Sequence, residues 1–252
     1  MASFEVSGIM CAFNGRTLIE DVYVSFPQGK MTAILGGNGS GKTTLLKTLA
    51  FEKPPMSGKV VIDGKVIGSR NSDELAKKIA YFPQTRHAPN MTVEEMVSLA
   101  RYPYRNVKEK NQSEENAIVK AALWDFGILH LSERNVKSLS GGEKQRAYLA
   151  MALAQGTEIL LLDEPTTSLD AKAEFEIMEK LQELSYQGKT IVATLHNIPL
   201  ALRYADFFAI INGKSIVTYN NPDDVLHSGI IQTTFGITVF RNTRGYYSVE
   251  HT

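Results

Sequence analysis

The feature that most constrains this chain is a glycine-rich loop between an apolar run and a helical pattern. Glycines let successive backbone N–H groups turn inward around phosphate oxygens, and the N-terminus of the next helix adds positive potential. The context predicts an α/β fold in which a buried strand over residues 31–35 leads through this loop into a helix. The loop fits G-x-x-x-x-G-K-[ST] and comprises Gly36, Gly37, Asn38, Gly39, Ser40, Gly41, Lys42 and Thr43.

Two side chains at the end of this loop have the chemistry that a bound nucleoside triphosphate requires. We expect the Lys42 ammonium group to contact the β- and γ-phosphates and the Thr43 hydroxyl to hold Mg²⁺. Thr44 follows them and belongs to the same phosphate-binding segment. The alternative is a glycine-rich turn that matches the pattern by chance, which the flanking strand and helix patterns disfavour.

A pair of adjacent carboxylates follows a second apolar run. Residues 159–162 are four aliphatic residues, as in a central parallel strand, and Asp163 and Glu164 come directly after them. Such a strand would deliver Asp163 to the catalytic edge of the sheet, where it can orient the Mg²⁺ shell. Glu164 could then polarise an attacking water. The alternative is that both residues cap a helix.

Charge and hydropathy narrow the classes of function. The 252 residues include 27 Lys plus Arg and 27 Asp plus Glu. Nucleic-acid binders usually show a basic excess, so we expect no nucleic-acid partner. No apolar stretch approaches the roughly 20 residues that span a bilayer. The first five residues lack the pattern of a signal peptide. We therefore expect a cytoplasmic chain that reaches a membrane only through a partner.

Strand patterns occupy both ends of the chain. Residues 4–9 and 22–26 are strand-like near the N-terminus, and residues 190–194 form a further strand pattern after the carboxylate pair. Asp-Gly at 63–64 and Asn-Gly at 212–213 predict two hairpins. These patterns favour a P-loop α/β core with an N-terminal antiparallel β portion.

The middle of the chain is mostly helical in pattern. Thr92 followed by Glu95 predicts an N-cap with a capping box, and a second helix opens near Ser113. The sequence therefore predicts one domain over residues 1–252. Its α/β core would comprise residues 1–84 and 139–252, and residues 85–138 would form an inserted helical subdomain.

Residues 139–145, Leu-Ser-Gly-Gly-Glu-Lys-Gln, lie about twenty residues before Asp163. This string resembles the signature of the ABC ATPase family and stands at the spacing that the family requires. Ser140, Gly141 and Gly142 precede a helical pattern, which gives an anion site at a helix N-terminus. The resemblance implies that they face the γ-phosphate held by another subunit of a homodimer with two shared ATP sites. The alternative is a capped surface helix.

Four further positions match the family in order along the chain. The resemblance implies that Gln84 links the metal site to the helical subdomain and that Asp170 lies in the loop crossing the dimer interface. It implies that His196 is the switch histidine, which joins Gln84 and Glu164 in catalysis. Phe13 stands where the family places an aromatic that stacks on adenine. The alternatives are a structural histidine at 196 and a core aromatic at 13.

Residues 100–104, Ala-Arg-Tyr-Pro-Tyr, and the tail at 222–226 and 234–237 resemble segments of the importer ATPases for iron–siderophore, haem and cobalamin. The sequence departs from that group at Ala100, where glycine is usual, and at Asn197, where aspartate is common. We expect Arg101 to bond carbonyls or carboxylates of a permease loop docked beside it. The alternative is that the neighbouring residues merely end a helix.

The resemblance implies an ATP-hydrolysing subunit that binds ATP and Mg²⁺ and powers a transmembrane permease at the inner face of the cell membrane. It implies import of an iron–siderophore, haem or cobalamin-type chelate, with a substrate-binding protein in the complex. Two alternatives remain open. One is the ABC ATPase of a soluble assembly, such as iron–sulfur cluster biogenesis or DNA repair. The other is the ATPase subunit of an exporter.

Overall fold

The computed structural model describes residues 4–67, 72–84, 87–104 and 112–251. The strands within them are β1 (Phe4–Phe13), β2 (Arg16–Phe26), β3 (Met31–Gly36), β4 (Ser57–Ile62), β5 (Lys65–Ile67), β6 (Ile79–Phe82), β7 (Ile159–Asp163), β8 (Thr190–Thr194), β9 (Phe207–Asn212), β10 (Ser215–Tyr219), β11 (Ile237–Arg241) and β12 (Tyr247–His251). The α-helices are α1 (Lys42–Leu49), α2 (Ser72–Ala76), α3 (Val93–Ser98), α4 (Gln112–Asp125), α5 (Gly141–Ala154), α6 (Ala171–Tyr186), α7 (Ile198–Tyr204), α8 (Pro222–His227) and α9 (Ile230–Phe235). In these described ranges, no helix has the length and apolar character needed to cross a bilayer.

The strands form one mixed sheet, one antiparallel sheet and a C-terminal hairpin. The six-stranded sheet has the order β10-β9-β3-β8-β7-β6, with β10 antiparallel to β9 and the other neighbours parallel. The antiparallel sheet has the order β2-β1-β4-β5, and β11 pairs with β12. The predicted α/β fold with an N-terminal antiparallel portion is therefore confirmed. Because β3, β7 and β8 are parallel neighbours, the residues that follow them meet at one sheet edge.

The central strands are buried on both faces, which explains their continuous apolar sequences. The buried apolar side chains form two clusters. In β3, Met31, Ala33 and Leu35 belong to the cluster in which helices pack on the sheet, and Ile34 belongs to the cluster that includes α1 and the antiparallel sheet. All five residues of β7 are buried. Packing from both sides fixes the ends of these strands and hence the loops that follow them.

Helices α3 and α4 pack on α5. The predicted capping box is present, because the Thr92 hydroxyl accepts from the Glu95 backbone N–H and the Glu95 carboxylate accepts from the Thr92 N–H. Val97 and Leu123 of these helices belong to the same buried cluster as Leu162 of β7. The division into a core and a subdomain over residues 85–138 stays a prediction, and residues 85, 86 and 105–111 lie outside the described ranges.

The N-terminal strands are longer than the sequence predicts. Strands β1 and β2 meet at Asn14-Gly15, where both φ angles are positive, at 48° and 77°. Positive φ at both central positions is the geometry of the tight hairpin turn that Asn-Gly favours. Register shifts along β1 break the strict alternation of buried residues, so the pattern at 4–9 covers only part of the strand. The pattern also does not reveal β6, which has four residues, or the hairpin of β11 and β12.

Candidate nucleotide-binding site

Two positions of the loop between β3 and α1, Gly36 and Gly41, leave little room for a side chain. Gly41 has a φ of 104°, a left-handed conformation that side chains rarely adopt. A Cβ atom at Gly36 would lie 2.6 Å from Ser40 Oγ, and one at Gly41 would lie 3.1 Å from the Leu18 side chain. A side chain at Gly36 or Gly41 would therefore force neighbouring groups or the loop itself to shift.

The Lys42 side chain folds back into this loop. Its ammonium group donates to the carbonyl oxygens of Gly36 at 2.8 Å and Gly37 at 3.2 Å. Burial lowers the Lys42 pKa, and the negative charges of Glu164 and Asp163 oppose that shift. The ammonium group thus lies inside a loop that can surround phosphate oxygens, and the charges of both carboxylates act on it.

Asp163 is fully buried at the end of β7. Its Oδ1 accepts hydrogen bonds from the Thr194 hydroxyl at 2.8 Å and the Thr43 hydroxyl at 3.2 Å. Its Oδ2 is buried and makes no hydrogen bond of normal length within the described residues, although the buried Tyr81 hydroxyl interacts with this carboxylate, which helps to raise the Tyr81 pKa. Burial raises the Asp163 pKa, and the two hydroxyl bonds oppose that shift. A buried carboxylate oxygen without a full hydrogen bond costs free energy unless a further group satisfies it.

These residues fit Mg²⁺, which prefers oxygen ligands. Asp163 Oδ2 and the Thr43 hydroxyl supply two oxygens next to the loop. Where the structure is described, no group of three or more His, Cys, Asp or Glu residues can hold a metal ion alone. A protein site with one or two carboxylates suits Mg²⁺, because this ion takes its remaining ligands from phosphates and water.

Glu164 lies where the chain turns sharply out of β7, with a φ of 52°. Its backbone N–H donates to the Thr194 hydroxyl at 2.9 Å. Its Oε2 accepts from the Thr167 hydroxyl at 2.9 Å, and its Oε1 lies 2.5 Å from His196 Nε2. Burial tends to raise the pKa of Glu164, but the hydrogen bonds from His196, Thr167 and Gln84 outweigh it and lower the pKa below its usual value. The group is therefore a carboxylate at neutral pH.

One cleft of about 530 Å³ brings most of the predicted site residues together. Its walls include residues 38–44 of the loop, Gln84, Glu164 and His196. Phe13 stands at the rim with 49% of its surface exposed, and Lys53 Nζ lies 4.9 Å from its ring centre. An aromatic this exposed is not a core residue, and Phe13 offers a ligand part of its ring surface beside Lys53.

The other predicted residues do not line this cleft. Ser140 caps α5 in a capping box with Glu143, and Asp170 caps α6 by accepting from the Ala173 N–H at 2.8 Å. Gly141 lines a second cleft of about 240 Å³, which shares Gln84 with the first, and a Cβ atom on Gly142 would meet Leu169. Residues 140–142 and Asp170 thus do not line the cleft beside the phosphate loop of their own chain.

Two buried polar residues without a predicted role connect the site: Thr194, which lies outside the motifs, and Gln145, the last residue of the 139–145 string. Thr194 bonds both carboxylate-bearing residues, and it faces Asp163 directly in the pairing of β7 with β8. The Gln145 amide donates to the carbonyl oxygens of Pro165 at 2.5 Å and Glu164 at 3.4 Å, which ties α5 to the end of β7. A hydroxyl residue at the carboxyl end of a central strand was the one available indication of Thr194.

The expectation that Arg101 reaches a permease loop is wrong. Its side chain is only 7% exposed and bonds the Glu115 carboxylate through Nε at 2.6 Å and Nη2 at 3.2 Å. Its Nη1 donates to the carbonyl oxygens of Ala154 at 2.9 Å and Gln155 at 3.1 Å. The guanidinium group therefore joins α4 to the end of α5, where carbonyls lack helical partners.

The phosphate loop, the carboxylate pair and the six-stranded sheet define a P-loop nucleotide-binding domain. A family model described as "ABC transporter" matches residues 19–167. The chain belongs to the ABC transporter family, and within it to the ATP-binding subunits, which hydrolyse ATP.

Similar proteins cover nearly the whole chain. The achromobactin transport ATP-binding protein of Dickeya dadantii is 39% identical over 89% of this chain and 84% of its own length. The ferric enterobactin transport ATP-binding protein of Escherichia coli is 39% identical over 88% of this chain and 82% of its own length. The dimeric post-hydrolysis structure of the ATP-binding cassette MJ0796, bound to ADP and phosphate, is 26% identical with a TM-score of 0.76. It covers 86% of this chain and 98% of that one.

Proposed function

We propose that this chain is the ATPase subunit of an importer for an iron–siderophore, haem or cobalamin-type chelate. The observation that carries its ATPase role is the cleft in which the phosphate loop, Glu164 and His196 meet, with the buried Asp163 bonded to Thr43 of that loop. Relatives named for achromobactin and ferric enterobactin transport support the cargo class. The same relatives disfavour a soluble assembly or an exporter.

In this proposal the residues of the cleft divide the work of hydrolysis. Lys42 and the loop amides bind the phosphates, and Phe13 stacks on adenine. Thr43, Asp163 and Gln84 would hold Mg²⁺, which neutralises charge on the phosphate oxygens when it is bound. Glu164 takes the proton of the attacking water as general base, and His196 holds the Glu164 carboxylate and the γ-phosphate in place.

The distribution of site residues favours a homodimer. Ser140 and its two following glycines present a helix N-terminus, which attracts phosphate oxygens. These residues and Asp170 do not line the cleft beside the loop of their own chain. Two chains arranged head to tail would place them over the γ-phosphate of the partner and form two shared ATP sites.

Residues 85–138 would form a helical subdomain that docks on the permease at the inner face of the membrane. The exposed side chains of Leu99 (44%) and Tyr102 (70%) offer the contact surface there, in place of the buried Arg101. A substrate-binding protein outside the membrane would deliver the cargo to the permease.

Uptake by cells tests the importer proposal. Cells that lack the protein, or that carry Lys42→Ala, should lose uptake of one cargo among ferric siderophores, haem and cobalamin. Uptake should return with the wild-type chain. Normal uptake of all three cargo classes in both strains would contradict the importer proposal. It would leave the assignment of ATPase activity to the purified subunit standing.

A further inference from the structure

We propose that Thr194 is a positioning residue whose single hydroxyl group sets the placement of both Asp163 and Glu164. The inference rests on the proposed roles of these two residues in the ATP site. Thr194 is the last residue of β8, its side chain is fully buried, and it pairs directly with Asp163 of β7.

The direction of both hydrogen bonds is fixed by the donors available. The Glu164 backbone N–H can only donate, so the Thr194 oxygen accepts from it at 2.9 Å. The one hydroxyl proton of Thr194 then points to Asp163 Oδ1 at 2.8 Å. The one Thr194 hydroxyl group therefore donates to Asp163 and accepts from Glu164 at the same time.

Thr194 orients Asp163 without itself belonging to the ligand set that we propose for Mg²⁺. Oδ1 receives both hydroxyl bonds, from Thr194 and Thr43, which leaves Oδ2 as the buried oxygen without a hydrogen bond of normal length in the described chain. Of the two hydroxyl groups, only that of Thr43 is expected to contact the cation. Thr194 thus acts as an outer partner that fixes the rotation of a ligand, a role that metal sites commonly require.

Thr194 also holds the turn that aims Glu164. The φ of 52° at Glu164 is unfavourable for a residue with a side chain and persists only where the surroundings impose it. The bond to the Glu164 N–H is one such constraint. The turn directs the carboxylate between His196 and Thr167, which bond its two oxygens. A methyl group in place of the hydroxyl would leave this N–H and Asp163 Oδ1 each short of a partner.

Three substitutions separate positioning from simple stability. Thr194→Val keeps the shape and removes the hydroxyl, and Thr194→Ser keeps the hydroxyl. Thr190→Val is the matched control, because Thr190 is buried at the other end of the same strand and its hydroxyl accepts from the Gly29 N–H at 3.2 Å. Thermal unfolding is measured for all three, together with ATP affinity at graded Mg²⁺ concentrations and in EDTA.

Thr194→Val should need about 10–100-fold more Mg²⁺ to reach the same gain in ATP affinity, the usual effect of losing an outer partner. Its ATP affinity in EDTA should stay within about twofold of wild type, because the phosphate loop is intact. Thr194→Ser should restore the Mg²⁺ response. Thr190→Val should lose stability but keep the wild-type response.

A wild-type Mg²⁺ response in Thr194→Val would overturn the inference, as would an equal loss in Thr190→Val or in Thr194→Ser. A separate outcome concerns the wild-type protein, whose ATP affinity could prove independent of Mg²⁺. That outcome would overturn the proposed metal role of Asp163, and this inference with it.

Discussion

His196 Nε2 lies 2.5 Å from Glu164 Oε1, although the two residues are 32 positions apart in the chain. Glu164 follows β7 and His196 lies two residues beyond β8, so the parallel pairing of these strands brings them together. The second Glu164 oxygen accepts from Thr167. The carboxylate is therefore held on both sides, and His196 keeps 46% of its side chain exposed toward the cleft.

Replacing Glu164 by glutamine should separate ATP binding from hydrolysis. The amide has nearly the same shape but cannot take a proton, so hydrolysis should slow about 10²–10⁴-fold while ATP still binds. ATP and Mg²⁺ should then hold two chains together as a dimer in size-exclusion chromatography. Glu158→Gln, at the other end of β7 and 53% exposed, serves as the control and should hydrolyse ATP normally. Near-normal hydrolysis by Glu164→Gln, or elution only as a monomer, would show that the assigned role is wrong.

A mixture of two inactive variants tests whether the ATP site is shared between chains. Lys42→Ala removes the phosphate contact, and Ser140→Arg blocks the helix N-terminus. In a mixed dimer, one shared site carries both defects and the other carries neither. Random pairing makes half of the dimers mixed, so the mixture should recover about a quarter of wild-type ATPase if the two sites work independently. The control is a pair of variants whose two sites work independently. If the control mixture recovers ATPase activity and this mixture does not, the result would favour a site contained in one chain.

Phe13 should contribute to ATP affinity only through the adenine ring. Phe13→Ala should weaken ATP binding by about 1–3 kcal/mol, or roughly 5–150-fold, because a stacking face is lost. Phe13→Tyr should keep the affinity. Binding of inorganic tripolyphosphate, which has no ring, should be the same in all three proteins. A loss of tripolyphosphate binding in Phe13→Ala would mean that the residue shapes the loop and does not stack on adenine.

Arg101 should matter for stability and not for contact with a partner. Breaking its buried pair with Glu115 by Arg101→Ala should lower the free energy of unfolding by about 3–5 kcal/mol. The double variant Arg101→Met, Glu115→Leu should lose less, because no unpaired charge remains. The exposed neighbour Tyr102, changed to alanine, is the control and should unfold near the wild-type midpoint. Equal urea midpoints for Arg101→Ala and wild type would contradict this assignment.

Local sequence was sufficient for features whose chemistry lies within a few consecutive residues. The phosphate loop is one, because its glycines and Lys42 act from a single turn between β3 and α1. The capping box at Thr92 is another, since donor and acceptor are three residues apart. The aliphatic run before Asp163 likewise predicted a buried strand that ends in two carboxylates.

What depended on distant contacts was decided only by the tertiary structure. The sequence predicted that Arg101 lies at the surface, but the packing of α4 on α5 buries it against Glu115. Thr194 has no motif of its own, and its role arises because the pairing of β7 with β8 sets its hydroxyl against Asp163. The sequence determined the fold class and the residues of the phosphate loop, because backbone conformation and side-chain type act there over short distances. The tertiary structure decided which buried polar groups meet, because their hydrogen bonds join residues that only chain folding brings together.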